Sequence, residues 1–292
     1  MVDQAQDTRV TTADPVRDQR RFPPKGAPLI HGINRGGLWT LYIKEVRRFL
    51  KVQTQTIWAP AVTTLLFLVI FTVALGRQGR MVLGVPFASF IAPGLIAMGM
   101  MQNAFANSSF SLLVGKIQGT IIDYLMPPLS EGELMTGIVA AATTRAIAVG
   151  LAVAVAIGLW PGVDLGVAHA WAIIWFGLMG AIMLSLLGLL TSLWAEKFDH
   201  AAAVTNFVVA PLSLLSGTFY TLHNLSPAFQ MVSLANPFFY VISGFRYGFL
   251  GSSDIGDGHA AVWWAAGGLG LFNLALGFAT YWLLRRGWKL KS

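Results

Sequence analysis

The chain of 292 residues contains no cysteine, and charged side chains make up only 11% of it, against about 25% in an average soluble domain. The missing cysteine excludes a disulfide scaffold. The missing charge excludes a soluble globule, because 20 Lys and Arg with 13 Asp and Glu cannot cover the surface of such a chain. With the charge so thin along an apolar chain, the basic balance (net +7) fits the positive-inside bias of a membrane protein and not a nucleic-acid partner. Catalytic signatures are absent too: there is no Gly-x-Ser-x-Gly, no His-Glu-x-x-His and no pair of carboxylates within an apolar run. His169, His223 and His259 have no ligand spacing, so no metal is expected. The one Gly-Lys step, Gly115-Lys116, is followed by Ile117 and not by Ser or Thr, so the chain has no P-loop.

What is present is apolar length. Stretches free of charge cover 57–76, 81–115, 134–160 (broken by Arg145), 165–195, 201–250 (broken by Arg246) and 258–284. Each is long enough for the roughly 20 residues that cross a bilayer. Ten of the 20 cationic residues precede Thr54, and Arg285, Arg286, Lys289 and Lys291 close the chain. Both ends then lie on the cytoplasmic side, which demands an even number of crossings. The expected fold is an all-α polytopic membrane protein with six spans at about 57–76, 87–114, 134–160, 168–194, 201–220 and 261–284. The remainder of the longest run, 221–250, is expected to dip in and return on the outer side, which leaves Arg77, Arg80 and Arg246 outside.

Residues 1–36 are polar and proline-bearing and read as a disordered cytoplasmic lead, with no apolar core for a signal peptide. Over 37–56 an amphipathic interfacial helix is expected, with Leu38, Leu41, Tyr42, Val46, Phe49 and Leu50 on one face. Lys44, Glu45, Arg47, Arg48 and Lys51 fill the other, toward lipid headgroups. This helix is a membrane anchor or, in addition, a dock for a partner. Residues 115–133 form a cytoplasmic connection in which Ile117, Ile121, Ile122 and Leu125 suit a short helix stopped by Pro127 and Pro128. Ser130 and Glu133 then make a capping box for the third span. Residues 285–292 are a basic cytoplasmic tail.

The run Gly119-Thr120-x-x-Asp123-x-Leu125-Met126-Pro127-Pro128 resembles the Gly-Thr-x-Glu-x-Leu-x-x-x-Pro segment of ABC transporter permeases of the type-2 export class. A second likeness runs through Leu-Ser-Gly-Thr-Phe-Tyr at 215–220, Leu-Ser-Pro at 225–227, Asn236-Pro237-Phe-Phe-Tyr and Phe245-Arg246-Tyr-Gly. Asp123 stands where the family more often has Glu, which shortens the reach of the carboxylate. The resemblance implies a six-span half-transporter of the bacterial inner membrane that homodimerises and pairs with two copies of a separate ABC ATPase. ATP and Mg would be bound there, and this chain would hold no cofactor. It also implies that Lys116, Gly119, Thr120, Asp123, Leu125, Pro127 and Pro128 belong to the coupling helix. Pro227, Asn236, Pro237 and Arg246 would belong to re-entrant outer helices. The expected cargo is a drug, a lipid-linked glycan or a polysaccharide. An ion-coupled secondary transporter is the alternative, and the lack of acidic residues within the runs argues against it.

Arg145 sits about 11 residues into the third span with no acid in any span to meet it. Its expected partners are backbone carbonyls, the amides of Gln102, Asn103 or Asn107, or an anion on a substrate path. Asn103, Asn107 and Ser111 recur at i, i+4 and face the interior, for hydrogen bonding between helices or for substrate contact. Ala142, Ala146, Gly150, Ala154 and Gly158 form a small-residue stripe for close helix packing.

Overall fold

The structure, a computed structural model, describes residues 32–75, 81–252, 254–255 and 259–287. The polar lead up to residue 31, residues 76–80 with Arg77 and Arg80, and the tail with Lys289 and Lys291 lie outside the described residues. Helix α1 (Arg35–Leu50) opens at Asn34, whose Oδ1 accepts from the Gly37 backbone N–H at 2.8 Å. A π-helical turn, Thr54–Trp58, carries the chain into α2 (Ala59–Leu75), which holds no charge and no polar residue stronger than Thr. Strands β1 (Met81–Val82) and β2 (Val85–Pro86) pair antiparallel, a small departure from an all-helical chain. Their two-residue turn places both Leu83 (φ 51°) and Gly84 (φ 77°) in the left-handed region, as tight hairpins require.

The remaining helices are α3 (Phe87–Ser109), α4 (Ser111–Ile117), α5 (Ile122–Leu125), α6 (Glu131–Gly158), α7 (Ala170–Trp194), α8 (Phe198–Val204), α9 (Ala210–Leu214), α10 (Pro227–Ala235), α11 (Pro237–Leu250) and α12 (His259–Arg285). Among the described residues, four stretches are long and apolar enough to cross a membrane: Thr54–Ala74, Glu131–Gly158, Ala170–Trp194 and His259–Arg285. Helix α3 has 23 residues, but Gln102, Asn103 and Asn107 dilute its apolar character. The stretch expected to cross at 201–220 is helical only as far as Leu214 and is loosened by a π turn at Thr205–Val209. Gly217, at φ 76°, then turns the chain away.

The core forms around α3, which is buried along nearly its whole length between α6 and α7. Small residues set the spacing. A Cβ on Gly150 of α6 would lie 2.6 Å from Met100 Cγ, so this part of the small-residue stripe serves packing inside the chain. Gly158, at the end of the stripe, is exposed. On α7, a Cβ at Gly188 would lie 2.6 Å from the Phe105 carbonyl oxygen and closer still to Ser108 Oγ. Backbone cannot step aside as a flexible side chain can. Gly188→Ala is therefore expected to wedge α3 from α7 and cost about 1–3 kcal/mol, read as a lower melting temperature in detergent. An unchanged melting curve would contradict the packing described.

Candidate functional site

Past α4 the chain turns at Gln118 and Gly119, and Gly119 adopts φ 72°, a conformation that a Cβ would strain. Only 122–125 is helical after it, a single turn. Of the apolar residues expected on this short helix, Ile117, Ile122 and Leu125 are 41%, 54% and 39% exposed, while Ile121 is half-buried. Tyr124 is buried in their place. Gly119, Thr120, Asp123, Pro127 and Pro128 are exposed, and they form with Leu125 an open surface at one end of the bundle. Lys116 turns away from it, donating to the Leu193 and Ala195 carbonyls, where its charge closes the C-terminus of α7.

Behind that surface lies a carboxylate which the sequence places on a solvated face. Glu45 of α1 is fully buried. Its position between Lys44 and Arg47 suggests a polar stripe, but the segment docks there and covers it. Tyr124 OH donates to Glu45 Oε1 at 2.9 Å, Ser111 Oγ donates to Oε2 at 3.0 Å, and Arg48 pairs with Oε2 at 2.9 Å. Burial, and then the Glu45 charge, hold the Tyr124 phenol well above the usual tyrosine range, so it remains a donor at physiological pH. Lys44 Nζ lies 3.5 Å from the centre of the Tyr124 ring. At the other end of α1, Asn34 Nδ2 donates to the Pro128 carbonyl at 3.0 Å, and the Asn34 N–H donates to Glu133. Helix α1 thus grips the exposed segment at both ends. The Ser130–Glu133 capping box is present at the start of α6.

The network continues into α3. Arg48 Nη2 donates to the Asn107 carbonyl at 2.7 Å and to Asn107 Oδ1 at 3.3 Å. One turn further on, Arg145 Nη2 of α6 donates to Asn103 Oδ1 at 2.9 Å, while Asn103 Nδ2 donates to the Gly99 carbonyl. Asn103, Asn107 and Ser111 are all buried, as their spacing predicts. Gln102 is half-buried and faces a cavity of about 340 Å³ between α2 and α3, beside Gln55, Thr63, Thr64 and Asn103.

At the opposite end, Arg246, expected in the segment 221–250, lies in α11. It is fully buried and forms an ion pair with Asp254 at 3.1 Å, a partner that sequence reasoning missed. Its Nη2 also donates to the Gly217 carbonyl at 2.7 Å, and its guanidinium lies 4.0 Å over the Phe90 ring. Asn236 caps α11 through the Phe238 N–H at 3.0 Å and donates to the Leu212 carbonyl at 2.7 Å. Pro237 follows at the first position of α11, and Pro227 opens α10 in the same way. Helices α10 and α11 are therefore fastened to the end of α9.

Residues 37–250 match the family model described as ABC-2 type transporter. The chain belongs to that family. It is 36% identical over 256 residues to the inner membrane transport permease YadH of Escherichia coli K12, covering 87% of this chain and 97% of that one. It is also 26% identical over 174 residues to nodulation protein J of Rhizobium leguminosarum bv. viciae, covering 58% and 64%. The family match takes in nearly all of α1, the exposed segment, α10 and α11. The molecule is accordingly a membrane subunit of an ABC transporter.

Proposed function

We propose that this permease is the translocating half of an ATP-driven exporter, moving a drug, a lipid-linked glycan or a polysaccharide across the bacterial inner membrane. Its relative in Escherichia coli is named as an inner membrane transport permease, which supports the location. Charge placement supports six crossings with both termini in the cytoplasm. Two copies would meet in the membrane and carry two ABC ATPase subunits, where ATP and Mg bind. In favour of a second copy, Val62, Leu66, Ile70 and Val73 on α2 find no cover within the chain. Gln102, Asn103, Asn107 and Arg145 are the candidate substrate path, because Gln102 and Asn103 line the cavity between α2 and α3, Arg145 donates to Asn103, and Asn107 lies one turn along the same helix.

The observation that carries this reading is the surface formed by Gly119, Thr120, Asp123, Leu125, Pro127 and Pro128. It is exposed in front and held from behind by Tyr124 and Glu45, as a part must be if a push on it is to reach the bundle. Asp123→Lys, at an exposed position, is expected to leave the fold intact. It should lower transport per ATP hydrolysed at least about tenfold, equivalent to ~1.4 kcal/mol of coupling. The check is ATPase rate and transport measured together in vesicles containing both subunits. Wild-type transport in that variant would count against the coupling role. Transport that survives deletion of the ATPase and collapses with an uncoupler would replace the ATP-driven reading with an ion-coupled one.

A further inference from the structure

Arg145 carries a charge that meets no counter-charge among the described residues. Its Nη2 is satisfied by Asn103, but Nε is buried with no acceptor. No ion pair joins it to an acid among the described residues. The carboxylate that the network does contain, Glu45, is taken by Arg48, Ser111 and Tyr124. One turn along α3, Arg48 occupies both acceptors of Asn107, which leaves the Asn107 Nδ2 buried and without a partner. The pattern is consistent in sign. Two donors, Arg145 Nε on α6 and Asn107 Nδ2 on α3, are withheld from water, and neither meets an acceptor among the described residues. Buried donors are almost always paired, and a buried cation most of all.

We propose that Arg145, with the amides of Asn103 and Asn107, binds one phosphate-class anion. The guanidinium fork suits an oxyanion. Tetrahedral oxygens allow a single group to accept from donors at different heights along a helix, which the planar pair of a carboxylate does less well. The cavity between α2 and α3 reaches Asn103 and is lined by amides, hydroxyls and apolar groups, with no carboxylate to repel such a guest. Inside a bilayer this chemistry has two sources: the phosphodiester of a membrane lipid, or a phosphate carried by the transported molecule. The inference rests on the substrate-path reading above and names the chemistry of that path.

The test is binding to the purified full-length chain in a neutral detergent, read by melting temperature, so that it depends on neither transport nor ATP hydrolysis. Dioctanoyl phosphatidic acid is expected to raise the melting temperature by about 3 °C or more at saturation, and dioctanoylglycerol to leave it unchanged. Arg145→Gln should abolish the shift, and Arg145→Lys should keep part of it. If inorganic phosphate alone gives the shift, the site needs only the anion. If the shift is confined to the amphiphile, the ligand is a lipid or lipid-linked phosphate. Should Arg145→Gln fail to fold, Asn107→Ala keeps the charge and is expected to weaken apparent affinity several-fold. No shift in the wild type, or an equal shift in Arg145→Gln or Asn107→Ala, overturns the site, with a buried water then completing the donors. That result would leave the export reading untouched, and a transport failure would likewise leave this site standing.

Discussion

Asp254→Asn is expected to lower the melting temperature in detergent by about 10 °C, the largest effect of any single change at the Arg246 end. The arithmetic starts from a pair whose side chains are 0% and 1% exposed. Neutralising the carboxylate leaves the Arg246 guanidinium in the interior without its charge partner, a loss of about 3–5 kcal/mol. At roughly 2–4 °C per kcal/mol for a domain of this order of size, that reaches the stated shift. The double change Arg246→Met with Asp254→Leu tests the cause, since removing both charges removes the desolvation penalty as well. It should recover part of the loss and not all. Met cannot donate to Gly217, and the stacking on Phe90 goes with the guanidinium. Tryptophan fluorescence during heating is a direct readout. A wild-type melting curve for Asp254→Asn would mean that the pair is not formed.

Glu45→Ala should be the most damaging change at the other end. It deprives the Tyr124 hydroxyl, the Ser111 hydroxyl and the Arg48 guanidinium of their shared acceptor. Two hydroxyls and a cation left together in a buried site cost about 3–5 kcal/mol. Glu45→Gln keeps the shape and one acceptor, and about half that cost is expected. The functional consequence is sharper than the stability one. Without this junction, α1 and the exposed segment lose their link at Tyr124, and ATP hydrolysis by the partner should continue while transport falls. Tyr124→Phe removes a single donor and should cost about 1–2 kcal/mol. The cycle Glu45→Gln with Tyr124→Phe then measures the pair itself. Additive losses would show that the two side chains do not communicate.

The difference between what could and could not be read in advance is one of sequence distance. Asn103, Asn107 and Ser111 announce a buried face because helical periodicity is local, and the Arg145–Asn103 contact follows once an intramembrane cation must find an amide. The capping box at Ser130 is local in the same way. Glu45 is not legible. Its burial is decided by Ser111 and Tyr124, 66 and 79 residues further along the chain, and only its i, i+3 spacing to Arg48 hints at a pairing. The segment 117–125 misleads for the opposite reason. Its isoleucines fit an inward face, but one turn of helix has room to bury one large residue, and Tyr124 takes the place because a carboxylate waits for its hydroxyl. Arg246 had a findable partner. Asp254 lies eight residues on, just past the left-handed Gly251 that ends α11, and that return of the chain is what brings the two together.

The same ion pair dictates an order of assembly. Arg246 donates to acceptors from both directions along the chain: Gly217 and Thr218 before it, Asp254 after it. While the polypeptide is still being delivered to the membrane, a guanidinium that lacks either set has no low-dielectric place to rest. Helices α10 and α11 are then expected to seat only after Asp254 has been delivered. A chain truncated just before Asp254 is expected to leave that seat incomplete.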